Sequence, residues 1–291
     1  MEKRGKRVLK PKISDPGVTR HILKTFGLHA SKRLGQNFLI QDSIVQAITA
    51  AAEIQPGDRV LEIGPGIGTL TQGMAEAGAV VTAVEIDKKL PDVLAETLAG
   101  YDQVRIVRGD ILKTDIPALM GKEPFKVVAN LPYYITTPIL LHLLEQRLSA
   151  TRIVTMVQRE VAERMIAVPG GRDYGALSVA VQYYTRPRLA LAVPPRCFLP
   201  SPAVESAVVD CVVRESPAVA VSNERRFFQV VRAAFGQRRK TLGNALRTLG
   251  ISRDMIQNAL ENAGIDAIRR GETLSLEEFA ALTETVLAAE K

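Results

Sequence analysis

The chain has 291 residues, 46% of them apolar, and its 38 lysines and arginines outnumber 31 aspartates and glutamates for a net charge of +7. That length suits one large domain and one small one, each able to bury a core. No apolar run approaches the roughly 18 residues that span a bilayer, and the basic start MEKRGKRVLKPK leads into no signal-type apolar region, so neither a membrane span nor a secretory leader is expected.

From the N-terminus, residues 1–33 form a basic extension: ten lysines and arginines stand against Glu2 and Asp15. From residue 59, short β-rich runs alternate with helical stretches: RVLEI, VVTAVEI, VRIVRG, FKVVAN and RIVTMVQ. This βαβ rhythm predicts a doubly wound parallel sheet. LSVAVQYY and ESAVVDCVV read as further strands, of the antiparallel kind common at the edge of such a sheet. Composition breaks at ESPAVAVSN. Beyond it, Phe227, Val230, Val231, Ala234 and Phe235 fall on one helix face, and Ser275 with Glu278 fits a capping box before a final helix. The predicted fold class is therefore α/β, with a small all-helical domain at the C-terminus. Cys197 and Cys211 have no CxxC spacing and no histidine cluster near them, so the expectation is reduced, buried thiols and no metal.

Three features fall at the ends of successive strands. Gly64, Gly66 and Gly68 form a strand-to-helix turn with GxGxG spacing, which a ligand can approach closely. Dinucleotide-binding proteins use a similar turn spaced GxGxxG. Glu62, just before the turn, suits a cationic ligand such as S-adenosylmethionine better than a pyrophosphate. Glu85 ends the next strand, where an acid can accept ribose hydroxyls, and Asp110 ends the third, where an acid can accept from an adenine amine. Either acid singly reads as well as a helix cap or a solvated loop residue; the three features in register favour one shared ligand.

The fourth strand runs into Asn130, Leu131, Pro132, Tyr133 and Tyr134. As local structure this is a proline turn. As chemistry it suits methylation of an exocyclic aromatic amine such as adenine N6, whose lone pair is delocalised into the ring. The Asn130 side-chain oxygen and the Leu131 carbonyl can each accept one amine hydrogen, which favours the pyramidal nitrogen of the transition state. Tyr133 can stack on the base, and Pro132 stiffens the turn. A strong general base is not required, and the motif offers none.

On LGQNFL, EIGPGIGTLT, VEID, GDIL, NLPYYIT, VQREVAERM, FLPSPAVESAVV, FGQRRKTLGNAL and LSLEEFAALTE, the chain closely resembles the bacterial dimethyladenosine transferases, the family of ribosomal RNA small subunit methyltransferase A. The resemblance implies a Rossmann-like S-adenosylmethionine-dependent methyltransferase domain over 34–214 and a helical RNA-binding domain over 223–291. It also implies N6-dimethylation of two adjacent adenosines near the 3′ end of 16S rRNA during ribosome biogenesis. The partner would be small-subunit rRNA in an immature 30S particle, met by a cytoplasmic monomer. By position, the cofactor contacts of the family fall on Asn37, Leu39, Gly64, Glu85, Asp110 and Asn130, with Gly66 and Glu62 in the same turn. Phe198 would line the target pocket beside Tyr133, although a core position is equally open to it. Related enzymes of large-subunit rRNA share the NxPY-type motif, but LGQNFL, NLPYYIT and the LSLEEF end favour the small-subunit class. A non-catalytic assembly factor is disfavoured by the intact motif, and a DNA methyltransferase by the lack of a sizeable target-recognition domain. Arg238, Arg239 and Lys240, the densest basic cluster beyond the N-terminus, read as a phosphate clamp or as a solvated helix face.

Overall fold

The computed structural model describes residues 11–28, 35–237 and 239–290. Helix α1 (Pro16–Thr25) starts where a side-chain cap and a fixed φ coincide. Asp15 accepts hydrogen bonds from the amides of Gly17 (2.7 Å) and Val18 (3.0 Å), and Pro16 takes the first helical position. Ile22 of α1 and the preceding Ile13 are buried against Ile67, Leu90, Val93 and Leu94. Part of the basic first 33 residues is thus folded structure.

After β1 (Phe38–Leu39) and α2 (Asp42–Ala51) come β2 (Arg59–Ile63), α3 (Thr69–Glu76), β3 (Val80–Glu85), α4 (Leu90–Thr97) and β4 (Val104–Arg108). The three strands pair in parallel, with Val60 opposite Val81 and Val81 opposite Val104. Helix α5 (Ile116–Met120) then leads to β5 (Phe125–Asn130), which pairs in parallel with the other side of β2. The side chains of Val60, Leu61, Val81, Val127 and Val128 are all buried, as expected of strands covered on both faces. Because β3 and β5 leave β2 in opposite directions, the carboxyl end of β2 is a topological switch point, where open α/β sheets bind ligands.

The chain continues through α6 (Thr136–Glu145), β6 (Ala150–Gln158), α7 (Arg159–Ile166), α8 (Ala176–Tyr184), β7 (Thr185–Val193), β8 (Phe198–Leu199) and β9 (Ser206–Val213). The main sheet has seven strands in the order β4-β3-β2-β5-β6-β9-β7, while β1 and β8 form a separate antiparallel ribbon. One expectation fails here: LSVAVQYY is not a strand but most of helix α8. Ser178, Val179, Ala180, Val181, Tyr183 and Tyr184 are all buried, so the run is apolar nearly all round and carries neither helical nor strand periodicity. The start of the helix decides the outcome: Ser178 Oγ accepts from the Gly175 amide (3.0 Å) and donates to the Arg164 carbonyl (2.5 Å).

Two compact units emerge, one comprising Met1–Thr136, Arg152–Gln158 and Ala190–Asp210, the other Thr137–Thr151, Arg159–Leu189 and Cys211–Lys291. In the second, α9 (Glu224–Gly236), α10 (Leu242–Ala245), α11 (Arg253–Asn262) and α12 (Leu276–Ala289) follow one another. The expected face of α9 is buried at Phe227, Val230, Val231 and Ala234. Phe227 stacks on Tyr183 of α8 at 5.0 Å, while the carboxylate of Glu224 accepts from Tyr184 (2.7 Å) and Tyr183 (3.3 Å). The capping box of α12 forms as expected from Ser275 and Glu278. Cys197 and Cys211 are buried and not joined in a disulfide. Among the described residues no helix is long and apolar enough to cross a membrane, and no cluster of His, Cys, Asp or Glu could hold a metal.

Candidate active site

A cleft opens at the carboxyl ends of β2, β3 and β5, in the first unit. Asn37, Leu39, Glu62, Gly64, Gly66, Glu85, Asn130, Leu131, Pro132 and Tyr133 all line it, so residues spread over almost a hundred positions converge on one space. The turn after β2 makes this possible. Gly64, Gly66 and Gly68 all have positive φ, and Gly68, at +95°, has Leu98 so close that a Cβ would lie 3.0 Å from it. Only glycine combines that conformation with that clearance.

Each side of the cleft has its own chemistry. Glu85 ends β3 with only 4% exposure; its carboxylate accepts from the Asp87 amide (2.8 Å) and, across the turn, from the Gly66 amide (3.2 Å). Burial nevertheless raises its pKa. Glu62 is buried more deeply, at 1% exposure, and accepts a 2.6 Å hydrogen bond from Thr71 Oγ1. Its pKa is pushed up to about 8, mainly by burial, with the Thr71 bond opposing and the charge of Glu85 adding to the rise. No basic side chain among the described residues pairs with it. A cleft holding a buried, unpaired carboxyl and a second carboxyl beside open backbone fits a ligand with a cationic end and hydroxyl donors.

On the opposite wall, Asn130 Nδ2 donates to the Asn37 carbonyl (3.3 Å), which orients the amide and leaves Oδ1 without a donor among the described residues. The turn beyond it is pinned by the Leu131 amide on the Met156 carbonyl (3.0 Å) and by Thr136 Oγ1 and the Ile135 amide on the Pro132 carbonyl (2.9 and 3.2 Å). Tyr133 is half-buried, and burial holds its phenol above the ordinary pKa, so it is neutral at physiological pH and no base. The arrangement can hold an amine between fixed acceptors beside an aromatic ring.

Two residues in the proposed set lie elsewhere. Asp110 is not among the cleft lining; its carboxylate caps the turn after β4 by accepting from the Leu112 amide (3.0 Å). Phe198 sits across the ribbon from Leu39, and its ring is buried in the core with Ile48, Val193 and Val208, 3% exposed. In the second unit Arg239 and Lys240 are exposed, while Arg238 lies outside the described residues. The cleft also includes Gln36, Ile86 and Tyr134. Ile86 is 49% exposed, and an apolar residue directly after the acid that ends a strand was the signal for it.

Residues 27–284 match the model of the ribosomal RNA adenine dimethylase family. Ribosomal RNA small subunit methyltransferase A of Moorella thermoacetica is 53% identical, over 94% of this chain and 98% of that protein. Its counterpart in Alkaliphilus metalliredigens is 49% identical, over 95% and 99%. Among solved structures, a dimethyladenosine transferase from Plasmodium falciparum superposes with a TM-score of 0.74 at 26% identity, covering 87% of this chain and 98% of that one. The 23S rRNA methyltransferase ErmE superposes at 0.65 with 28% identity, covering 86% and 99%.

Proposed function

Since the chain belongs to the ribosomal RNA adenine dimethylase family, we propose that its cleft carries methyl groups from S-adenosylmethionine to two adjacent adenosines near the 3′ end of small-subunit rRNA. The protein is an rRNA adenine N6-dimethyltransferase of the small-subunit class. The observation that carries the mechanism is that the Asn130–Tyr133 turn and the Gly64–Glu85 wall border a single cleft.

Bound there, S-adenosylmethionine supplies an electrophilic methyl group. Glu85 would hold its ribose hydroxyls, Glu62 would face its cationic end, and Asn37, Leu39, Gly64 and Gly66 would enclose it. Asn130 Oδ1 and the Leu131 carbonyl accept the two N6 hydrogens of the target adenine. They thereby favour the pyramidal nitrogen over the planar amide-like ground state, and because the turn is already pinned this costs no reorganisation. Tyr133 stacks on the base. The proton lost on methylation leaves a strongly acidic nitrogen, so water can take it without a protein base. Asp110, at the end of β4, would accept from the adenine amine of the cofactor through the carboxylate oxygen that does not cap the loop, and Phe198 fixes the ribbon that carries Leu39.

The helical segment 223–291, with Arg238, Arg239 and Lys240, is proposed to grip RNA phosphates of an immature 30S particle, with the protein acting as a cytoplasmic monomer. The test is mass spectrometry of RNA from immature small subunits, mature large subunits and duplex DNA, each incubated with purified protein and S-adenosylmethionine. Paired N6,N6-dimethyladenosines confined to the small-subunit RNA are expected; modification of only the large-subunit RNA or DNA would overturn the assignment.

A further inference from the structure

Tyr133 lies in the loop after β5, yet its ring is held at both ends. At the backbone end is the pinned Pro132 turn. At the far end, Tyr133 Oη lies 2.7 Å from Ser206 Oγ, a hydrogen bond in which either hydroxyl can donate. Ser206 is the first residue of β9 and has 0% exposure, and β9 lies between β6 and β7 in the main sheet. The bond therefore joins a loop side chain to a fully buried residue in an interior strand of the sheet. Tyr134, the next residue, is 56% exposed and makes no such bond among the described residues. A ring fixed only through its Cα could swing about χ1, whereas one tied at the phenol cannot swing without breaking the bond.

We infer that Ser206 is a positioning residue for methyl transfer: through its hydroxyl it holds the Tyr133 ring in the place that receives the target adenine. This rests on the proposed role of Tyr133 as the stacking platform. No part of Ser206 borders the cleft, so its effect runs wholly through the phenol. A displaced platform leaves the cofactor wall untouched but misaims the amine, and small misplacements of a reacting group are costly in rate.

The test is a cycle of Ser206→Ala, Tyr133→Phe and the double variant, with Ser206→Thr and Tyr133→Ala alongside. Single-turnover methylation of immature small subunits, KM for those subunits, cofactor affinity by calorimetry and melting temperature are measured for each. Ser206→Ala and Tyr133→Phe should each lower the rate about tenfold, in line with one lost hydrogen bond. The double variant should fall no further, cofactor affinity and KM should stay within about twofold, and Ser206→Thr should recover most of the rate. A merely structural serine would instead lower the melting temperature without sparing the double variant from a multiplied loss. If Ser206→Ala does not fold, Tyr133→Phe decides alone, since it removes the same bond from the half-buried side. Wild-type rate in Tyr133→Phe, or losses that multiply, overturns the inference. Wild-type rate in Tyr133→Ala would instead overturn the stacking role on which it rests.

Discussion

Replacing Glu62 by Gln should stabilise the ligand-free protein at alkaline pH while removing its preference for a cationic ligand. In the fold Glu62 titrates near 8, against 4.5 for an ordinary glutamate, because it is buried, with Thr71 on α3 its hydrogen-bond donor and Glu85 on β3 the charged group that raises it. The folded state thus holds a proton that the unfolded chain releases. Since the folded pKa is the higher one, the associated stability is complete below about pH 4.5 and is lost as pH rises toward 8. The slope is about 1.4 kcal/mol per pH unit, or roughly 3 to 5 kcal/mol across the window. For a domain of this size that corresponds to a melting-temperature difference on the order of 10 °C. The assay is calorimetric melting of wild type and Glu62→Gln from pH 5 to pH 9. The two should nearly coincide at the acid end, and the variant should melt higher at the alkaline end. Titration with S-adenosylmethionine over the same range should show wild-type affinity improving with pH, because a cation favours the ionised carboxylate, and a flat profile for the variant. Melting curves that run parallel throughout would refute the reasoning.

Glu85→Ala should weaken S-adenosylmethionine binding by about 1.5 to 3 kcal/mol per lost charge-assisted bond with the fold intact; calorimetry giving unchanged affinity in a folded variant would contradict its role. Asn130→Ala should reduce the single-turnover methylation rate far more than RNA affinity, because the lost acceptor acts on the reacting nitrogen. Cofactor affinity is measured beside it, since Asn130 also borders the cofactor wall. Replacing Arg238, Arg239 and Lys240 by Gln should flatten the log-affinity against log-salt slope on immature small subunits by about 2 to 3, while leaving cofactor affinity alone. An unaltered slope would move the RNA-binding role to the basic N-terminal extension.

The half of the sheet that builds the cleft was legible because its signals are local: β-rich runs at regular spacing, three glycines in one turn, an acid at a strand end. What was not legible depends on distant partners. The ribbon between Phe38–Leu39 and Phe198–Leu199 unites two dipeptides far apart in sequence, and no periodicity exists in two residues. LSVAVQYY favours a strand by composition, and burial on nearly all sides removed the polar face at 3.6-residue spacing that would have identified it as a helix. Asp110 and Phe198 show a different limit. For Asp110 the strand end fixes only the backbone, while its carboxylate also caps a local amide; for Phe198 the motif left pocket and core equally open, and packing selects the core. Helix α1 was readable in principle from Asp15-Pro16, yet the surrounding charge drew attention to partners rather than to structure.

That helix bears on how the protein can be shortened. A chain begun at residue 34, where the family resemblance becomes strong, would look like a harmless trim of a basic leader. It would in fact uncover Ile67, Leu90, Val93 and Leu94 by removing Ile13 and Ile22, and it would strip the Lys12 ion pair with Glu76 and the Ile13 amide bond to Gln72 (2.8 Å). Ile67 lies inside the glycine turn itself. The first helix is thus an outer buttress of the wall that carries the glycine turn, and trimming it would loosen ligand binding there as well as removing basic charge.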